Sequence, residues 1–320
     1  MNLSIVVPVY NEQENLPLLY DAITSAIQPL GIEWEMVLVN DGSRDHSQEV
    51  LEELAAKAPE TVRVIQLRRN FGQTAAIAAG IDHSQGEIIV LMDADMQNDP
   101  ADIPMMLQKL EEGFDVVSGW RIRRQDAFIT RTLPSRIANG LISWVTGVYL
   151  HDYGCTLKAY RREVITGFRL YGEMHRFIPV YAASVGAKII EIPVHHHPRK
   201  FGKAKYGLER TVKVILDLFT VKYLSSFMSK PIYLFGGVGS LLITVSLLTL
   251  LFLFIRRMFF GISVMESPLF PSATTVFVLG FQSLLMGLIA EMLVRTYHES
   301  QGKPTYTILK QINIKDQQQK

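Results

Sequence analysis

The chain has 320 residues, room for one large domain or a domain with appendages. Its 32 basic and 31 acidic side chains leave a formal charge of +1, so no overall field draws it to nucleic acid. A lone cysteine, Cys155, excludes an internal disulfide and fits a reducing compartment.

The N-terminus carries no basic leader, holds Pro8 inside its apolar run and soon turns acidic, which reads as a first strand and not a signal peptide. Strands are predicted at 3–10, 34–41, 62–67, 87–95 and 115–120, with helices near 13–28, 45–57, 73–84 and 101–112. Near-continuous Val/Ile/Leu strands separated by helices predict a mostly parallel, Rossmann-like α/β sheet with helices on both faces. Ligands of such sheets bind beyond the carboxyl ends of the strands. Here those ends read PVYNE, NDGS, RRNFG and DADMQ, gathering polar residues and glycine at one edge.

From 121 to 205 the pattern is irregular and basic. Leu208, Val212, Ile215, Phe219 and Tyr223 then recur about once per helical turn, with Arg210, Lys213 and Asp217 on other faces. That predicts an amphipathic helix over 206–229 lying on a membrane surface. Residues 231–255 and 267–290 carry no charge for 25 and 24 positions. At about 1.5 Å per residue each can cross a hydrocarbon layer of roughly 30 Å. The predicted organisation is a sheet domain over 1–205, the interface helix, a two-span hairpin over 230–296 and a tail over 297–320. Lys222, Lys230, Arg295, Lys303 and Lys310 flank the spans, against Arg256 and Arg257 between them, which predicts both ends in the cytoplasm. Beyond the polar KDQQQK end there is no low-complexity segment, and no internal repeat.

The fourth strand runs into Asp93 and Asp95, with Gln97 two residues on. Side chains at i and i+2 of an extended segment share a face, and two close carboxylates repel unless a proton or cation lies between them. A hard cation takes one or two carboxylates and completes its shell with phosphate oxygens, so the pair predicts a metal-diphosphate site. A helix cap before Pro100 is the plainer reading. Asp41 could accept from nucleobase N–H groups or simply form a turn. Tyr10 and Glu12 could line the same pocket. The stretch WRIRRQDAFITRTLPSR holds five arginines against one acid, and PRKFGKAKYG holds four basic residues. Beside a metal site and a membrane helix these suit a lipid's phosphate, with Arg121, Arg124, Arg131, Arg199 and Lys205 favoured. His195, His196 and His197 lack the cysteines or spaced carboxylates of a zinc set, and Cys155 has no base placed by motif.

This ordered set resembles glycosyltransferases of family 2 with the GT-A fold, and within them the polyprenyl-phosphate sugar transferases. The likeness continues through HDYGCTLKAYRREV (151–164), EIPVHHHPRKFGKAKYG (191–207) and both spans, covering nearly the whole chain. It is nearest the bacterial undecaprenyl-phosphate 4-deoxy-4-formamido-L-arabinose transferases. Dolichol-phosphate mannose synthases and undecaprenyl-phosphate glucosyltransferases are also similar. The resemblance implies Mg²⁺ or Mn²⁺, a nucleotide-sugar donor (UDP by the nearest matches), a polyprenyl-phosphate acceptor, homo-oligomers and the bacterial inner membrane. It implies that Pro8, Tyr10, Glu12, Asp41 and Asp93 contact the nucleotide, and that Asp93, Asp95 and Gln97 hold the metal. Asp95 and Asp152 are the catalytic candidates. Asp152 falls on an acceptor-side carboxylate of the mannose synthases, whereas the glucosyltransferase-like branch carries its acid where this chain has Thr156.

A phosphate monoester is largely ionised at pH 7, its second pKa being about 6, so it hardly needs a base. Direct displacement then inverts the sugar's anomeric centre. A processive polysaccharide synthase is a rival reading, opposed by two spans and the lack of QxxRW. A non-catalytic nucleotide-binding protein is the other, opposed by the intact DxD and two basic loops.

Overall fold

The computed structural model describes residues 2–122, 133–166, 170, 174–198, 232–265, 267–300 and 305–314. The predicted helix 206–229 and the favoured Arg124, Arg131, Arg199 and Lys205 lie outside them. Two compact units emerge, residues 1–221 with 304–320, and residues 222–303.

The first unit is built on an eight-stranded sheet. Its strands are β1 (Leu3–Val9), β2 (Trp34–Asn40), β3 (Val62–Leu67), β4 (Ile88–Leu91), β5 (Val116–Trp120), β6 (Lys158–Arg161), β7 (Ile189–Pro193) and β8 (Ile308–Ile312), in the order β7-β5-β6-β4-β1-β2-β3-β8. β1 runs parallel to β2 and β4, β2 to β3, and β5 to β7. β6 and β8 run antiparallel to their neighbours. The sheet is therefore mostly parallel, as its apolar strands predict.

Both faces are covered because β1 is apolar on both. Leu3, Ile5, Val7 and Val9 belong to one core with α1 (Leu16–Ile27), α2 (Ser47–Lys57) and α4 (Ile103–Glu111). The contributing positions of α1 are Leu16, Leu19, Ile23 and Ile27, one turn apart. Val6 points the other way, toward α3 (Gln73–His83), where a Cβ on Gly80 would stand 2.3 Å from its Cγ1. Glycine there lets α3 lie against the sheet.

Predicted boundaries hold within a few residues, except at the fourth strand. It ends at Leu91 rather than 95, and Asp93 and Asp95 lie in the turn that follows, with Met96 at φ +59°. The reason sits in β1. Even-numbered residues of β1 face β4, as the Met92 N–H to Val6 carbonyl bond shows. Pro8 is the next of them and has no N–H to continue the ladder. The two strands part there and leave a cleft.

β6, β7 and β8 have four or five residues each, too few for a periodic signal. β8 falls in the predicted tail. Asn313, at φ +59°, donates to the Ala55 and Val62 carbonyls and fastens the chain after β8. Arg63 donates to the Asn313 carbonyl and pairs with buried Glu35.

The second unit is a helical hairpin. Residues 133–146 (α5), 162–165 (α6) and 178–184 (α7) complete the first unit's helices, so its helices are α8 (Ile232–Phe260) and α9 (Leu269–Ser300). Phe235–Phe260 and Leu269–Ala290 are long and apolar enough to cross a membrane. Leu248, Phe252 and Phe281 are among many large apolar side chains they expose, unlike the core helices of a soluble domain. The helices meet where a Cβ on Gly239 would stand 2.7 Å from the Gly280 carbonyl. Ser246 and Ser283 donate across to the Ala273 and Phe235 carbonyls at 2.7 and 2.9 Å.

Candidate active site

The turn after β4 sets two carboxylates at the carboxyl edge of the sheet. Asp93 Oδ1 accepts from Gln73 Nε2 at 2.7 Å, and its Oδ2 from Thr156 Oγ1 at 2.8 Å. Thr156 in turn accepts from Asn98 Nδ2 at 3.0 Å. Asp95 is buried, and its Oδ1 accepts the Gln97 N–H at 3.1 Å. The capping role belongs to Asp99, whose carboxylate accepts the Ala101 N–H at the start of the Pro100–Asp102 turn. Two carboxylates and an amide are hard oxygen donors and fit Mg²⁺ or Mn²⁺. No cluster of three or more His, Cys, Asp or Glu that could hold a metal ion occurs among the described residues.

Pro8 lines a cleft with Asp93, Thr156, Lys158 and His175. Tyr10 is half-buried just beyond it. Asn11, at φ +52°, turns the chain so that buried Glu12 starts α1: its carbonyl receives the Asn15 and Leu16 N–H groups and its carboxylate the Asn15 amide at 2.7 Å. Asp41 was expected to face a nucleobase or a turn. Its Oδ1 and Oδ2 accept the N–H groups of Phe71 and Gly72, at 2.7 and 3.0 Å, which fixes the RRNFG loop. Burial pushes its carboxyl above the ordinary range despite those bonds.

Just beyond β5, Arg121 and Asp152 grip each other. Nε donates to Oδ2 at 2.7 Å and Nη2 to Oδ1 at 2.9 Å, with Asp152 2% exposed. Two residues predicted for separate roles are thus one ion pair. Glu191 of β7 accepts the Asp152 N–H at 3.0 Å, and the His151 N–H and Nδ1 at 3.0 and 2.7 Å.

Sequence reasoning did not single out Gln73, Lys158, His151, His175 or Glu191. Lys158 is buried and donates to the Tyr153 and Cys155 carbonyls at 3.0 and 2.5 Å, holding the turn that delivers Thr156 to Asp93. Burial pushes its ammonium down to about 8. His175 meets Thr74 at 2.7 Å at the start of α3. A lysine inside the matching segment 151–164 was the one available signal. Cys155 is 1% exposed and burial pushes its thiol up to about 11, as suits a packing residue. The histidine run braces the loop after the DxD. His195 Nδ1 meets Asp102 at 2.7 Å, His197 Nε2 meets Asp99 at 2.9 Å, and the His197 N–H donates to the Gln97 carbonyl.

The model of the family described as glycosyl transferase family 2 matches residues 4–168. Dodecaprenyl-phosphate galacturonate synthase of Rhizobium johnstonii is 40% identical, over 96% of this chain and 92% of its own length. Undecaprenyl-phosphate 4-deoxy-4-formamido-L-arabinose transferase of Photorhabdus laumondii is 37% identical, over 96% and 93%. Mannosyl-3-phosphoglycerate synthase from Rubrobacter xylanophilus shares the fold, at 14% identity and a TM-score of 0.52 over 70% of this chain and 74% of that one. A strand-end DxD on a mostly parallel sheet, a family model spanning half the chain and relatives alike along nearly all of it place the chain in glycosyl transferase family 2, as a glycosyltransferase.

Proposed function

We propose that this chain transfers a sugar from a nucleotide-sugar, UDP-linked, to undecaprenyl phosphate at the cytoplasmic face of the bacterial inner membrane. The observation that carries the reading is Asp93, held by Gln73 and Thr156 beside buried Asp95 where β1 and β4 part. Asp93, Asp95 and Gln97 would hold Mg²⁺ or Mn²⁺ there. A bound cation offsets the charge that grows on a departing nucleoside diphosphate. The names of the two relatives support a polyprenyl-phosphate acceptor.

The chain's own residues divide the remaining work. Pro8, Tyr10, Glu12 and Asp41 frame the nucleotide end. Arg121, oriented by Asp152, serves the acceptor phosphate, with Arg124, Arg131, Arg199 and Lys205 added from the two basic stretches of sequence. The phosphate oxygen attacks the anomeric carbon from the side opposite the leaving diphosphate and inverts it. Pairing of β8 with β3 supports the topology, because the chain before and after the hairpin belongs to one sheet, so two crossings must return it to the same side. The excess of flanking over intervening Lys and Arg supports the cytoplasmic side.

The test is transfer by the full chain in detergent, with undecaprenyl phosphate, Mg²⁺ or Mn²⁺ and a panel of UDP- and GDP-sugars. Lipid-linked product from one donor, absent with Asp95→Ala and after chelation, is the expected result. Sugar transfer only to a sugar acceptor, or none with any donor, refutes the reading.

A further inference from the structure

We propose that the end of α5 and the turn after it form a membrane-docking surface, with Trp144 and Tyr149 seated among anionic lipid headgroups. Their side chains are 75% and 79% exposed, the two most exposed large apolar groups of the first unit among the described residues. Helices that cover a sheet ordinarily turn charge to water. α2 does so with Glu49, Glu53 and Lys57. α5 instead exposes Gly140 and Trp144, one turn apart, while Asn139, Ile142 and Ser143 are buried.

The backbone beneath the two rings is built to hold them there. The Gly147 N–H closes on the Ser143 carbonyl at 2.9 Å, and its φ of +77° turns the chain. The Ser143 hydroxyl then meets both the N–H and the carbonyl of Leu150 at 3.4 Å. Thr146 Oγ1 accepts the Val148 N–H at 3.3 Å, and the Tyr153 hydroxyl donates to the Val148 carbonyl at 2.6 Å. Trp144 follows Ser143 and Tyr149 precedes Leu150, so these bonds set both rings on one turn.

The chemistry of the patch identifies what covers it. Trp and Tyr join an apolar ring to one polar edge, which is why they collect where hydrocarbon meets water. Residues 121–151 hold five arginines and a single acid, Asp126, a charge that anionic headgroups attract. A second copy docked patch to patch would instead add arginines to arginines. Phe235–Phe260 and Leu269–Ala290 leave from and return to the first unit in sequence, so two spans would tether that unit to a bilayer.

Tyr149 stands three residues before Asp152, at most about 11 Å along the chain. Asp152 orients Arg121, so docking would bring that arginine toward the depth at which lipid phosphates lie. This consequence rests on the acceptor reading above. The surface itself rests only on the hairpin crossing a bilayer.

The experiment reads fluorescence from the full chain in nanodiscs containing phosphatidylglycerol, with and without bromine on the acyl carbons just below the headgroup. The chain has three tryptophans, so the difference between wild type and Trp144→Phe isolates the emission of Trp144. Brominated lipid should remove most of that emission, and acrylamide in the water should remove little of it. Tyr149→Trp in the wild-type chain is a second reporter that does not depend on the folding of Trp144→Phe, and its added emission should behave the same way. Rings open to acrylamide and untouched by bromine face water, and rings shielded from both are covered by protein; either result overturns the proposal. A chain that does not assemble with lipid refutes the hairpin reading and this surface with it. A chain whose Trp144 is quenched by brominated lipid, yet which is inactive toward undecaprenyl phosphate, refutes the acceptor reading and leaves the surface standing.

Discussion

Asp152→Asn is the substitution that best separates holding from chemistry at the acceptor side. The Arg121 and Asp152 side chains are 14% and 3% exposed and share two short charge-assisted bonds. Removing one partner of a buried pair leaves the other charge uncompensated, at a cost of 3–5 kcal/mol as a rule; some exposure of Arg121 argues for about 3. For a unit of this size that corresponds to a fall in Tm of roughly 6–12 °C. Thermal unfolding in detergent, followed by far-ultraviolet circular dichroism, measures it. Arg121→Met and Asp152→Leu should each lower Tm comparably, and the double variant should recover at least half of the loss, since a matched apolar pair leaves no orphaned charge. Turnover should follow a different order. Asp152→Asn should retain measurable kcat with a raised acceptor KM, whereas Asp95→Ala has none. If Asp152→Asn leaves Tm and KM unchanged and abolishes kcat as fully as Asp95→Ala, Asp152 takes part in the chemistry and the positioning argument fails.

Thr156→Val removes a side-chain donor to Asp93 and should weaken Mn²⁺-UDP binding by about tenfold or more, the worth of one hydrogen bond to a charged group; calorimetry that finds unchanged affinity refutes it. Cys155 should resist maleimide at pH 8 in the folded chain and react once denatured, because burial holds its thiol protonated up to about 11; stoichiometric labelling of the native protein within minutes would contradict this. The Asp102 carboxylate raises His195 above the ordinary imidazole range through its hydrogen bond and its charge. A raised folded pKa stabilises fully below the unfolded value of about 6.5, and the contribution fades as pH rises through the folded value. Asp102→Asn should remove that pH dependence, read from the His195 ring proton shift, and a titration unmoved by the substitution would exclude the pairing.

Much of this was legible in the chain because one physical rule set it. A strand buried on both faces must be apolar throughout, so β1 to β5 stood out, and the polar residues at their ends marked the edge where a ligand binds. Pro8 was read as a pocket residue, yet its larger structural effect, ending the β1–β4 ladder, depends on which neighbour its missing N–H would have faced. The site partners were hidden for a related reason. Gln73, Lys158 and Glu191 reach the edge from a helix start, the entry to β6 and a five-residue strand at the sheet's far side, and their meeting depends on the strand order β7-β5-β6-β4, which periodicity does not encode. β8 was concealed by distance, since its partner β3 lies across the whole hairpin in sequence.

Asp93 and Asp152 also differ in how their carboxylates are held, and that difference argues for the proposed division of labour. Both described side-chain donors to Asp93, the Gln73 amide and the Thr156 hydroxyl, are neutral, and Asp95 is met by a backbone N–H. Bonds of this kind fix a carboxylate without cancelling its charge. Asp152 instead faces a guanidinium in a two-bond fork, which offsets its charge and suits the proposed approach of an anionic acceptor.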